Sequence, residues 1–426
     1  MKHTDARSIR LSYRVPYLLI VLIGLSTVAG CLPLYMDSAI EQLRQTQNPP
    51  LVRVRVVAEA DVFTLKTAGR FTVLGGRANG EWAVYSLSDK VIVRLRNKRF
   101  RVVDRENVSL DSDLVGVWVQ PADQSAKVRL NGNPYYGEMI FGTDRRGTTE
   151  IVNRLNLDRY LMGVLTPELG ERTDDEFEAV KAQAVAARTY ALAHLGQYPN
   201  ALYDLSADVS DQIYVGASQQ RDWVDRAVKA TRGEVLTYNG HLIEAYYHST
   251  CGGKTDAIED IWNQPPEPYL VAVDDDTLCN WSKYWHWTER FDSTTLVDNL
   301  RSYLKPNPSD PFRITDIKVC DTTPGGRNRH MTVYTQQREW TVKDDQIRWA
   351  LGRPSRPGSI LPSGRFTMEL TRAADGHVIG AVINGGGYGH GVGLCQCGMI
   401  GRARAGEEHK AILEFYYPGA QVQHRY

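Results

Sequence analysis

Tyr160-Leu161-Met162-Gly163-Val164-Leu165-Thr166-Pro167-Glu168-Leu169, followed by Glu178-Ala179-Val180-Lys181-Ala182-Gln183-Ala184-Val185-Ala186-Ala187-Arg188-Thr189-Tyr190, is the stretch that decides the fold. Leu157, Tyr160, Leu161, Val164 and Leu165 recur at helical spacing, and the reading places the helix stop at Pro167. A second helix opens at Thr173, because Thr173-Asp174-Asp175-Glu176 matches a capping box. It is expected to run through Phe177, Val180, Ala184, Val185 and Ala187 to about Leu195, its alanines permitting close backbone packing.

Upstream of this pair the period is two. Val52-Arg53-Val54-Arg55-Val56, Val91-Ile92-Val93-Arg94-Leu95, the alternate valines Val115, Val117 and Val119, and Val128 with Leu130 all read as short strands. Gly75-Gly76, Gly80 and Asn131-Gly132-Asn133 punctuate them. Downstream, Val235 to Tyr238 and Ile243 to Tyr247 return to strand patterning, and a glycine-rich loop precedes a helix near Glu407 to Tyr416. Helices and strands are segregated rather than alternating, so the expected class is α+β. The divisions expected are a leader over 1–30, a tether over 31–50, a β-rich module over 51–150 and an α+β domain over 151–426. The β-rich region shows no catalytic constellation and reads as a structural or docking module. No internal repeat is evident.

Composition bounds the function. The 426 residues carry 50 basic and 50 acidic side chains, so no global charge drives the chain toward nucleic acid, and none is expected as a partner. With 42% hydrophobic and 23% charged residues the chain is neither disordered nor a multi-span membrane protein. The amino terminus reads as an address. Lys2, Arg7, Arg10 and Arg14 precede an apolar run from Tyr17 to Gly30, which is shorter than the roughly 20 residues a span needs and suits a signal peptide. The run ends Val28-Ala29-Gly30-Cys31, which resembles the bacterial lipobox. Acylation of Cys31 would hold an exported protein on a membrane without a span; a plain secretory signal and an uncleaved anchor are the other readings.

Several familiar sites are absent from the sequence: a Walker phosphate loop, a His-Glu-x-x-His zinc helix and a Gly-x-Ser-x-Gly elbow. Gly385-Gly386-Gly387-Tyr388-Gly389-His390-Gly391-Val392-Gly393 does not make a dinucleotide fingerprint. Its alternating glycines suggest unusual dihedrals or a close backbone approach, and make His390 a candidate site residue, with a purely structural turn as the other reading.

Taken in order, the Tyr160–Leu169 and Glu178–Tyr190 blocks, Tyr247-His248-Ser249-Thr250-Cys251-Gly252-Gly253 and the Gly-Tyr-Gly-His-Gly-Val-Gly loop resemble the signature blocks of the SpoIID/LytB family. The resemblance spans roughly Tyr136 to Tyr426. The family holds peptidoglycan lytic transglycosylases and amidase enhancers, so it implies a wall-directed protein of the cell envelope with a SpoIID-like fold. It implies that Glu168 is the catalytic acid, standing where the family has the glutamate of Glu-Met-Pro, although Leu169 and Gly170 replace the Met-Pro here. Lys181 and Arg188, seven apart on one helix face, with His248 and His390, would bind the glycan. One carboxyl suffices for lytic transglycosylation, because the 6-hydroxyl of the same N-acetylmuramic acid is the nucleophile, whereas a hydrolase typically needs two. The reaction requires no cofactor. The partners expected are glycan strands, stripped of stem peptides in the sporulating relatives, a membrane through the lipid, and an amidase or other wall hydrolase. The alternatives are a non-catalytic wall binder or amidase enhancer and a structural envelope module.

The cysteines leave further readings open. Some family members carry a His/Cys zinc site, and by that resemblance His248, Cys251 and Cys279 would bind structural zinc, completed by His286 or a water. A Cys251–Cys279 disulfide suits an exported protein equally, and free thiols are the third reading. Cys395-Gln396-Cys397 replaces the family's usual Ser-Gln-aromatic, and one of its thiols is expected to pair with Cys320.

Overall fold

The computed structural model describes residues 49–56, 60–309 and 311–426. Cys31 and the apolar run before it lie outside the described residues. Among the described residues no helix is long and apolar enough to cross a membrane.

The protein is α+β with a β-rich amino-terminal region. The strands between Leu51 and Asn156 build a seven-stranded and a six-stranded sheet, the former completed by Leu205–Ser206. Alternating side chains explain their packing: Val52 and Val54, Phe63 and Leu65, and Val117 and Val119 all turn inward and are buried. Phe141 closes the space between the sheets, its ring centroid 5.3 Å from that of Phe63 and 6.4 Å from that of Phe100. The first strand, Leu51–Arg55, pairs antiparallel with Thr149–Asn156 and parallel with Leu205–Ser206.

Thr149–Asn156 passes directly into helix α1 (Leu157–Leu169), whose first turn is capped by Asn156 Oδ1 accepting from Arg159 N at 3.0 Å. A 3₁₀ turn, Asp174–Glu176, leads into α2 (Phe177–Ala193), and Glu176 Oε2 accepts from Thr173 N at 3.1 Å, the reciprocal half of the expected capping box. α3 (Asp222–Ala230) packs beside both. One hydrophobic core runs from Val52 and Phe63 through Tyr160 and Ala184 to Leu394 and Tyr416, so the β-rich region and the helices are packed as one body.

A second core stands apart. It joins Phe291, Leu296, Ile317, Met331, Ile347 and Ile383, buried between two three-stranded sheets and the helices α4 (Ser293–Leu304) and α5 (Gln346–Leu351). The chain leaves the first core, builds this unit, and returns along Val378–Gly385 into the glycine-rich loop. After the loop come α6 (Gln396–Arg404) and α7 (His409–Tyr416), both packed on α2.

Two local expectations are corrected. Pro167 does not stop α1. It lies inside the last turn, and the helix ends at Gly170, whose φ of 68° and N–H bond to Thr166 O make the cap. Ile243 to Tyr247 does not form a strand; only Tyr247–His248 pairs, with Leu394–Cys395 in parallel, because the backbone turns back on itself at Tyr246 N, which donates to Glu244 O at 2.8 Å.

Candidate active site

The end of α1 is the focus of the molecule. Proline has no N–H, so Pro167 leaves Gly163 O without its helical donor. Val215 N supplies one at 3.3 Å. The approach needs a bare backbone: a Cβ on Gly163 would lie 2.5 Å from Gly216 O. The segment 212–216 is pinned against α1 by two phenols. Tyr214 OH donates to Asn153 Oδ1 at 2.7 Å, and Asn153 is itself buried and bonded through Nδ2 to Tyr136 O and Glu138 O. Tyr160 OH donates to Gln212 Oε1 at 3.0 Å, and Gln212 Nε2 donates to Tyr247 OH at 2.9 Å. This framework aims Ile213 N at Glu168 Oε1, 3.4 Å away. From the other side Gln396, the first residue of α6, donates Nε2 to Glu168 Oε2 at 3.1 Å.

Glu168 is half-buried, and its two oxygens have one donor each. Burial raises its pKa above the ordinary 4.5, while the bonds from Gln396 and Ile213 act in the opposite direction without cancelling it. The carboxyl therefore keeps its proton to higher pH than a solvated glutamate. Nearby Tyr247 and Tyr160 have pKa values pushed well up by burial, so their hydroxyls stay protonated and neutral. Asp211, whose charge also reaches Tyr160, accepts from Tyr190 OH, Tyr198 OH, Gln197 Nε2 and Ser206 N. A carboxylate with four donors is a structural acceptor.

The glycine loop folds over the Tyr247–Gly253 segment. Gly389 has a φ of 110°, and a Cβ there would meet the His248 Cβ at 2.7 Å. His390 sits within this fold beside Trp262, with ring centroids 4.9 Å apart, and both its nitrogens are engaged: Nε2 donates to Tyr247 O at 2.9 Å and Nδ1 accepts from Val392 N at 3.1 Å. Burial lowers its pKa to about 4, so the ring is neutral at pH 7. His248 is buried and donates Nδ1–H to Val392 O at 3.2 Å, leaving Nε2 without a partner. Both histidines hold the loop in place, and neither bonds to Glu168.

The helix face expected to bind glycan divides in two. Lys181 remains partly exposed and pairs with Glu178 Oε1 at 2.5 Å. Arg188 is 0% exposed. Its guanidinium donates to Val228 O, Glu234 O and Thr231 Oγ1, and lies 3.5 Å from Asp158. This corrects its expected role, since a fully enclosed side chain cannot contact a polysaccharide.

The disulfide and the ligand set that includes His248 are corrected, while the described cysteines are free thiols. Cys251 Sγ and Cys279 Sγ are 3.4 Å apart, whereas a disulfide requires about 2.05 Å. Cys251, Cys279 and Cys395 instead converge with Asp275, all buried and with donor atoms within 4.8 Å of one another. His248 is not in this group, and His286 is exposed. Cys320 is exposed on the second unit and Cys395 is buried in the first, so the expected pairing does not form.

Sequence reasoning missed Gln212, Ile213 and Gln396 as neighbours of the acid. A backbone N–H such as that of Ile213 has no residue signature. Gln396 did have one, since it stands in the Cys-Gln-Cys triplet where the family motif also has glutamine.

Residues 145–238 match the family model SpoIID, Stage II sporulation protein, and residues 276–393 match a domain of unknown function, DUF8618, which covers the second core. An uncharacterized protein of Brachyspira hyodysenteriae is 29% identical, with 88% of this chain and 93% of that protein aligned. The amidase enhancer of Bacillus subtilis is 28% identical over 74% of this chain and 48% of its own length. Stage II sporulation protein D of Bacillus subtilis is 26% identical over 74% of this chain and 86% of its own.

Proposed function

The chain belongs to the SpoIID/LytB family, and on that premise we propose that it acts on peptidoglycan as a lytic transglycosylase with Glu168 as its single acid and base. The observation that carries this reading is the state of Glu168: a half-buried carboxyl, raised in pKa by burial and gripped by only two donors. Such a group is suited to protonate a glycosidic oxygen and, once ionised, to accept a proton from a nearby hydroxyl. In the proposed reaction the C1–O bond breaks as Glu168 gives its proton to the leaving oxygen. The 6-hydroxyl of the same N-acetylmuramic acid attacks C1 from within the sugar, so its effective concentration is already high. Glu168 takes the hydroxyl proton as the 1,6-anhydro bond closes, and the cycle consumes no water. Gln396 and Ile213 N hold the ionised carboxylate midway through.

The products identify the reaction. Digestion of peptide-stripped glycan strands should release ends in 1,6-anhydro-N-acetylmuramic acid, about 18 Da lighter than hydrolytic ends because no water is added. Ends that have gained water would point to a hydrolase.

The alignment with the amidase enhancer favours a second reading, a glycan-binding protein that assists a wall hydrolase. Tight binding to sacculi by wild-type protein that cleaves nothing would select it. Cys31 completes the proposal as a lipid anchor on an exported envelope protein. Cys31→Ala should abolish lipid labelling and release the protein from membranes; persistent acylation would overturn the anchor.

A further inference from the structure

The segment after His248, the turn at 275–279 and the start of α6 are far apart in sequence, yet they bring three thiols and one carboxylate to a single buried point. Cys251 Sγ lies 3.4 Å from Cys279 Sγ and 3.2 Å from Asp275 Oδ2. A tetrahedral zinc with metal–sulfur bonds of about 2.3 Å needs sulfurs about 3.8 Å apart, and donor atoms that all fall within 4.8 Å meet that need with small side-chain adjustments.

The surroundings are arranged for sulfur as an acceptor. Cys395 Sγ accepts from Cys251 N at 3.2 Å and Gly398 N at 3.3 Å, and Cys251 Sγ accepts from Gly253 N at 3.3 Å. The carboxylate is oriented from behind, with Tyr416 OH donating to Asp275 Oδ1 at 2.6 Å and the Arg402 guanidinium 3.8 Å away. Its other oxygen is the one facing the thiols. Space for it exists because position 398 is glycine: a Cβ there would lie 2.0 Å from Asp275 Oδ2. Buried thiols serving only as packing need neither an aligned carboxylate nor a glycine cut-out beside it.

We propose that Cys251, Asp275, Cys279 and Cys395 form a structural zinc site, with His248 outside it. Binding displaces the thiol protons to solvent, and the closed set of four protein ligands is that of a structural rather than a catalytic centre. The site has a consequence for the acid. Cys395 caps α6, and the next residue, Gln396, donates to Glu168. The metal would thus fix a positioning residue of the proposed acid, a consequence that rests on the functional reading, whereas the metal site does not.

The test is the metal content of the full chain, purified without chelator and reconstituted with zinc under reducing conditions. About one zinc per chain is expected, as for a single four-ligand site. Cys279→Ser and Cys395→Ser should lose it, while His248→Ala and Cys397→Ser should retain it. Tyr416→Phe keeps all four ligands and should weaken zinc about 10–100-fold in chelator competition, as loss of an orienting partner does. This variant covers the case in which a cysteine substitution fails to fold. Cobalt substituted for zinc should show intense thiolate-to-metal charge transfer in wild type. Three results would each overturn the site: no bound metal after reconstitution, a Cys251–Cys279 disulfide in the intact mass of protein purified without reductant and refractory to zinc, or loss of zinc on His248→Ala. None of these readouts depends on glycan cleavage, so the metal site and the proposed reaction fail separately.

Discussion

The end of α1 and the middle of α2 carry the two most conspicuous charges of one motif region, and they are treated in opposite ways. Arg188 is enclosed, with carbonyls, a hydroxyl and a carboxylate around its guanidinium, and Val235 and Leu236 of the following strand are buried nearby. Glu168 is only half-buried and has one donor on each oxygen. A fully enclosed charge bonded through both terminal nitrogens to neighbouring backbone and side chains is a structural tie. A charge held in a low-dielectric setting with spare acceptor capacity is available for chemistry. Motif position alone does not separate the two, because both kinds of residue are needed to make the same site.

Arg188→Ala is the severest way to sharpen that contrast. It leaves two buried carbonyls without their donor and Asp158 with Arg232 as its remaining cation, and loss of one partner from a buried charged set typically costs about 3–5 kcal/mol. The expected outcome is a large fall in the urea midpoint and Tm. A normally stable variant with a raised KM for glycan would return Arg188 to the binding surface and break the comparison.

Glu168→Gln should do the reverse. Shape and hydrogen bonding are largely kept, so stability should be equal or slightly higher, while turnover falls by at least about 10²-fold for want of a titrating proton. Single-turnover digestion of denuded strands, with binding measured in parallel, checks both halves. The pH dependence follows from the raised pKa of Glu168. The acid form is present at low pH and is lost as pH rises through the folded-state value, so activity should fall on that alkaline limb. The same group gives the folded state a stability term that is full below the unfolded value of 4.5 and lost as pH rises through the higher folded one. Glu168→Gln should remove that slope from the urea midpoint between those values.

Gln396→Ala tests the grip on the carboxylate. Its bond favours the ionised form, so its removal should move the alkaline limb to still higher pH and reduce kcat more than it raises KM. A limb that stays in place would show that Gln396 serves only α6.

Lys181→Ala should change least. A partly exposed pair with Glu178 three residues away is worth about 0.5 kcal/mol or less. The urea midpoint should barely move, and a clear rise in KM with unchanged stability would place Lys181 in the glycan-binding surface.

Periodicity in the sequence was enough for the α+β class, for most strands before Asn156 and for both central helices, because side-chain alternation and the capping box at Thr173 are local. The family blocks also singled out Glu168. What sequence did not determine was partnership across distance. Pro167 should end a helix by local rules, yet α1 continues because Val215, 48 residues away, supplies the donor that Gly163 O lacks. Lys181 and Arg188 share a helix face in sequence, but the strand following α3 covers one and leaves the other at the surface. The cysteines were ambiguous among disulfide, zinc and free thiol because spacing along the chain says nothing of distance in space. Only the folded chain brings Cys395 and Asp275 to Cys251 and Cys279 and excludes His248. Local propensities act over a few residues and are written in order, whereas the environment of a charge or a thiol is made by segments that meet only after the core has closed.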